Sequence, residues 1–243
     1  MNCLGRALAI VATLLAAPVH AAGQCIANPL TAVPRKIDIR TRSILEALVD
    51  FGQTNSTCFG VELMDDRLAT TEADWHEAAP LRDLLESALS HVEGYRVRER
   101  GHVVSISPAR TAAATWLDIK IPEFATTRRA NVQELNNLLF MDLRLVENPH
   151  LGGFAGDSLW GDPQDQIGPL DEHDQSMRNL LDLIVESSRG GLWITVRPYN
   201  RSRALSNQPF WLMLEYSEPL ATNLGRIRGT LREIQSAFGS AQR

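Results

Sequence analysis

The feature that most constrains the fold of this chain is a hydrophobic period that changes from two to about 3.6 and back within residues 36–108. Ile37 and Ile39 alternate with charged residues, as in a half-buried strand. Ser43 and Glu46 then have the spacing of a helical capping box, and apolar residues follow at helical intervals. The segment therefore predicts a strand that leads directly into an amphipathic helix.

The change of period continues to the end of this stretch. Apolar residues alternate again within residues 59–63, which predicts a second strand. Pro80 suits a first helical position, and the leucine-rich stripe behind it predicts a second helix. Residues 95–107 predict a hairpin around Gly101, because glycine tolerates the positive φ of a short turn. The fold class is therefore α+β, in the order strand, helix, strand pair, helix, hairpin.

The apolar positions of this stretch also follow the order and spacing of a known family. The segments that carry the likeness are ILEALVDFGQTNSTCFGVEL, PLRDLLESALS and GYRVRERGHVVSISP. They resemble the short N-terminal domain of secretins and TonB-dependent transducers. The resemblance implies a non-catalytic interaction or adaptor protein of the bacterial cell envelope, periplasmic or secreted, whose partner is an envelope protein. It brings no catalytic residues to this chain, and we expect neither an enzyme nor a bound cofactor or metal.

Two short motifs recur in the second half of the chain. Residues 117–120 repeat the pattern of residues 37–40, and residues 177–182 repeat the pattern of residues 81–86. The matching order indicates duplication of one α+β unit. The alternative is that two ordinary α+β segments have converged on similar leucine patterns.

The repeat predicts two modules with the same order of strands and helices, residues 22–110 and residues 111–217. In the second module we expect a strand at residues 141–145, where Met141, Leu143 and Leu145 alternate with charged residues. A closing strand pair is expected at residues 192–197 and 210–216.

Residues 218–243 are predicted to form a C-terminal amphipathic helix. Either this helix docks on its own domain or its apolar stripe is the seam of a homodimer. The stripe covers fewer than three heptads, which favours docking. The stripe consists of Leu220, Leu224, Ile227, Leu231, Ile234 and Phe238.

Residues 1–21 have the pattern of a secretory signal peptide, with Arg6 before an apolar run and small residues at the end. The alternative is a retained anchor, although the run is shorter than the roughly 20 residues of a membrane span. Cys25 and Cys58 are then the mature cysteines, and an oxidising compartment favours a disulfide between them over two free thiols.

The composition limits the kinds of partner. A net charge of −5 and a pI near 5.7 argue against nucleic acid or an anionic membrane. No long apolar stretch follows the signal peptide, so we expect no stable membrane span after its cleavage.

Residues 148–175 form the one long departure from the repeated plan, rich in glycine, aspartate and proline. Connections of this length are often functional, and Phe154, Leu159 and Trp160 are its candidate partner contacts. An alternative function is a metal or small-molecule site that uses the acidic residues of this loop.

The letters Gly156-Asp157-Ser158-Leu159 resemble the nucleophile block of GDSL-type esterases. A secreted serine hydrolase that uses Ser158 is therefore a further alternative. That family places the block after an N-terminal strand and has an Asp-x-x-His near the C-terminus. Here the last histidine is His173, and this missing context favours a chance match.

Overall fold

The computed structural model describes residues 25–34, 39–75, 79–110, 115–147, 167–188, 190–196, 211–216 and 219–239. The strands are β1 (Ile39–Ser43), β2 (Cys58–Leu63), β3 (Glu72–Trp75), β4 (Tyr95–Arg100), β5 (Val103–Pro108), β6 (Lys120–Ala125), β7 (Asp171–Ser176), β8 (Gly191–Val196) and β9 (Trp211–Glu215). The helices are α1 (Ile44–Asn55), α2 (Arg67–Thr70), α3 (Leu81–Ser90), α4 (Val132–Glu147), α5 (Met177–Ser187) and α6 (Leu220–Gly239), with a 3-10 turn at Trp116–Asp118.

The central element is a five-stranded sheet with the strand order β4-β5-β2-β8-β9. Strands β5, β2 and β8 run parallel, and β4 and β9 are antiparallel neighbours at the two edges. All residues of β2 are buried, as expected for a central parallel strand with both faces covered. Two smaller antiparallel pairs, β1-β3 and β6-β7, lie outside this sheet.

Helices cover both faces of the central sheet. Phe59, Val61 and Leu63 of β2 point into a core that also contains apolar residues of α1, α3 and α6. The next side chains in the alternation point the other way, and Cys58 joins a second core with residues of α4, α5 and β6. The protein therefore has an α+β fold with a C-terminal helix, as predicted from the sequence.

The helix cap and the hairpin turn predicted in the first half are both present. The Glu46 backbone N–H donates to Ser43 Oγ at 3.3 Å, so Ser43 is the N-cap of α1. Gly101 has φ +58° in the turn between β4 and β5.

The disulfide between Cys25 and Cys58 is present, with a Cα–Cα distance of 5.4 Å. It joins the N-terminal segment to the start of β2. Leu30 of that segment is buried in the first core. The predicted disulfide therefore connects two parts of the folded protein that also pack together.

The prediction of a strand at residues 141–145 is wrong, because these residues belong to helix α4. Leu135, Leu139 and Leu143 recur every fourth residue and form the buried stripe of that helix. Met141 and Leu145 lie outside this stripe, and Leu145 is exposed. The alternation of apolar and charged residues at 141–145 therefore reflects two surfaces of one helix.

Two further expectations in the second half need correction. Residues 117–120, expected to repeat the first strand, form mainly a 3-10 turn, and β6 begins at Lys120. A capping box holds this turn, because Asp118 Oδ2 accepts the Thr115 backbone N–H at 2.8 Å. The end of the predicted loop is not a loop, since residues 171–176 form β7 and pair with β6.

Helix α6 is docked on its own chain over the part whose side chains are described. Leu224 and Ile227 are buried in the first core, and Leu220 packs against it. Arg228 of α6 also forms an ion pair with Glu46 of α1. These contacts support docking and leave Leu224 and Ile227 inaccessible to a dimer seam. The side chains of Leu231, Ile234 and Phe238 lie outside the described residues.

Candidate functional site

A cluster of charged side chains lies between the central sheet and α5. Glu62 of β2 is only 1% exposed, and its carboxylate forms an ion pair with Arg178 of α5. Arg178 Nη2 also lies 3.3 Å from Asp118 Oδ1. One guanidinium thus joins the middle of the sheet, α5 and the 3-10 turn.

Asp182 is the second buried carboxylate of this cluster. Its Oδ1 accepts the Trp193 indole N–H at 2.7 Å, and its Oδ2 lies 2.6 Å from Arg100 Nη2. Burial raises the pKa of Asp182 to about 6, although Arg100 and the indole hydrogen bond both act to lower it. Gly60 of β2 makes room for the Trp193 ring, since a Cβ atom there would overlap it.

The geometry of this cluster fits a structural connection. Each of the two buried carboxylates faces a guanidinium, and Asp182 also accepts a hydrogen bond. A carboxylate that is held in this way is a poor free base, whereas a buried ion pair strongly disfavours any arrangement that separates its partners. The cluster therefore fixes α5 on the sheet.

The outer surface of α4 has the opposite character. Leu138, Leu145 and Val146 are 38%, 43% and 39% exposed, and the one other exposed large apolar side chain among the described residues is Val33. Residues spaced by seven and eight positions lie on one side of a helix. These three side chains and the half-buried Met141 form an apolar patch, which we call the α4 patch.

An open groove of about 370 Å³ lies beside the N-terminal part of the α4 patch. One wall is α4, and the other is the segment between β6 and α4, which the backbone pairing of Ala130 with Ile167 holds in place. Arg128 at the rim forms an ion pair with Glu134. The lining includes Thr126, Arg128, Ala130, Asn137, Leu138 and Met141.

Asp142 lies within the α4 patch. Leu138 is four residues before it, and Leu145 and Val146 are three and four residues after it, so all four lie on neighbouring helical positions. Burial and, to a smaller extent, the carboxylate of Glu123 on β6 together raise the pKa of Asp142 to about 6.

Most of the site residues predicted from the sequence lie outside the described part of the chain. Phe154, Leu159 and Trp160, the candidate partner contacts, belong to this group, and so does Ser158 of the esterase-like letters. The acidic residues of β7 are described, and His173 Nε2 lies 3.1 Å from Asp171 Oδ1. Within the described ranges, no three histidine, cysteine, aspartate or glutamate side chains are placed to hold a metal ion.

Sequence reasoning missed both the charged cluster and the α4 patch, although each has a signal. Glu62 is a lone charge in an otherwise apolar strand, which indicates a buried partner. In α4, the residues at 138, 141 and 145 form a second apolar stripe next to the core stripe. A helix with more apolar surface than its core needs is typical of a second contact.

The chain was also compared with known proteins. No protein-family model, curated protein or solved structure matched it. Among the described residues, no helix is long and apolar enough to cross a membrane.

Proposed function

We propose that this chain is a non-catalytic protein-interaction or adaptor protein of the bacterial cell envelope, periplasmic or secreted, and that it binds an envelope protein through the α4 patch. The observation that carries the proposal is the concentration of exposed apolar side chains on one helix. Soluble proteins expose single apolar residues everywhere, whereas a contiguous group indicates a contact surface.

Two further observations support this proposal. The resemblance of residues 36–108 to the short N-terminal domain of secretins and TonB-dependent transducers favours an interaction function in the envelope. The disulfide between Cys25 and Cys58 favours an oxidising compartment. Ser158 of the alternative hydrolase and residues 148–166 of the alternative metal or small-molecule site lie outside the described residues.

Site-specific photo-crosslinking tests the proposal in cells of the organism that makes the chain. A benzophenone amino acid replaces Leu145 in one variant and Val33, which is 61% exposed and distant in sequence, in the control. We expect a discrete crosslinked product at position 145 that is missing at position 33. Leu138→Ser should remove this product, because it takes an apolar side chain from the α4 patch.

Two results would contradict the proposed function. The first is the same set of products at both positions, because that would indicate random collision. The second is the absence of any product at position 145 when the protein is present at its normal level. Hydrolysis of a nitrophenyl ester that is lost in Ser158→Ala would favour the hydrolase instead.

A further inference from the structure

The α4 patch differs from a purely apolar contact because it contains a carboxylate. Asp142 is half-buried among Leu138, Leu145 and Val146, all three of which are exposed apolar side chains. Among the described residues, the charged group that acts on Asp142 is Glu123, a second carboxylate. The patch thus combines exposed apolar surface with negative charge that lacks a described counter-ion.

Two basic side chains in this region, Arg128 and Arg144, have contacts of their own. Arg128 pairs with Glu134 at 3.3 Å. The Arg144 guanidinium lies over the Phe140 ring, 5.9 Å from its centroid.

These charges limit what can cover the α4 patch. An apolar partner would remove water from Asp142 and Glu123, which is costly for ionised carboxylates without a compensating charge. An acidic partner would add repulsion at the same place. A lysine or arginine offsets the lost hydration, because its charge would meet Asp142 in a surrounding of low polarity.

We propose that the α4 patch binds an amphipathic helix of the partner protein, with a lysine or arginine of that helix against Asp142 and Glu123. This inference rests on the proposed function and specifies its partner. The patch extends from residue 138 to residue 146, which corresponds to about 12 Å along the helix axis. Two turns of a partner helix with apolar residues at three- and four-residue spacing match this length.

Two designed peptides test the charge preference. Both are amphipathic helices with the same leucine stripe, and they differ at one central position beside that stripe, which is lysine in one and glutamate in the other. Fluorescence anisotropy gives the affinity of each for the full-length protein at pH 7.5. We expect the lysine peptide to bind at least about ten-fold more tightly.

Variants of the protein assign the preference to the α4 patch. Asp142→Asn should reduce the affinity ratio of the two peptides to about two, since Glu123 remains. Asp83→Asn on α3 removes an exposed helical carboxylate elsewhere and should leave the ratio unchanged. Leu145→Ser should weaken both peptides by a similar factor, about ten-fold, because both use the apolar surface.

The outcomes separate this inference from the proposed function. If the peptides bind equally, if neither binds, or if Asp142→Asn leaves the ratio intact, the basic-helix partner is wrong. A crosslinked product at position 145 would still support the proposed function in each of those cases. Self-association of the protein that Leu145→Ser abolishes would identify a second copy as the occupant and would also overturn the inference.

Discussion

At the residue scale, Asp182 is a buried side chain whose environment opposes its ordinary charge. It is 8% exposed and contacts Arg100 and Trp193, yet burial still raises its pKa to about 6 from an ordinary value of 3.8. Arg178 and Glu186 of α5 also act on it, with opposite effects. Ionised Asp182 therefore costs stability in the folded protein, and protonation removes that cost.

The replacement Asp182→Asn tests this charge balance. A folded-state pKa that is raised by about two units contributes about 3 kcal/mol of stability below the unfolded-state pKa, and this contribution is lost as the pH rises through 6. Asparagine has no such titration. Urea unfolding of both proteins should give a free-energy difference, wild type minus variant, that falls by about 2 kcal/mol between pH 4.5 and 7.5. A difference that is independent of pH would show that Asp182 titrates normally.

At the scale of elements, the N-terminal segment substitutes for a missing helix cap. Pro80 precedes α3 and offers no side-chain acceptor. The Leu81 and Arg82 backbone N–H groups instead donate to the carbonyls of Ala32 and Leu30, at 3.3 and 3.0 Å. The disulfide at Cys25 holds this segment in place, so the hydrogen bonds that cap α3 depend on the disulfide.

Reduction of the disulfide should therefore loosen α3 as well as destabilise the whole chain. The two cysteines are 33 residues apart, and the loop-entropy estimate for such a link is about 3–4 kcal/mol. Cys25→Ser should lower the free energy of unfolding by that amount. The substitution should increase the hydrogen-exchange rate more at the Leu81 and Arg82 amides than at the β2 amides. Equal protection in both proteins would mean that the segment stays in place without its link.

Elements whose signals are local could be predicted from the sequence, and α4 shows where such signals fail. The start of α1 was predictable because Ser43 caps its own helix, and the β4-β5 hairpin because Gly101 supplies the turn. In α4, alternation at residues 141–145 indicated a strand, since a local pattern cannot tell two helix surfaces from two strand faces. The α4 patch was missed for the same reason, because two of its residues, Met141 and Leu145, belong to the predicted strand.

At the scale of the whole molecule, the central sheet takes strands from both predicted modules. Strand β2 lies between β5 of the first module and β8 of the second, with Gly60 beside Trp193 in the register. Sequence repeats indicated two units but gave no information about pairing between them. Long-range pairing of this kind depends on which strand edges meet, and the sequence of each strand is compatible with several neighbouring strands. Two ion pairs, Glu62 with Arg178 and Arg100 with Asp182, also connect the first half to the second.

The shared sheet predicts that residues 22–110 do not form a stable protein alone. Without the second half, β2 loses its pairing with β8, the Cys58 face loses the cover of α5, and Glu62 loses Arg178. A buried charge without its partner and an uncovered apolar face are each strongly destabilising. Circular dichroism on heating should give a broad transition for this fragment and a cooperative one for the full chain. Mixing it with residues 111–243 should restore cooperativity, whereas a sharp transition of the fragment alone, near that of the full chain, would mean that the first module is an independent domain.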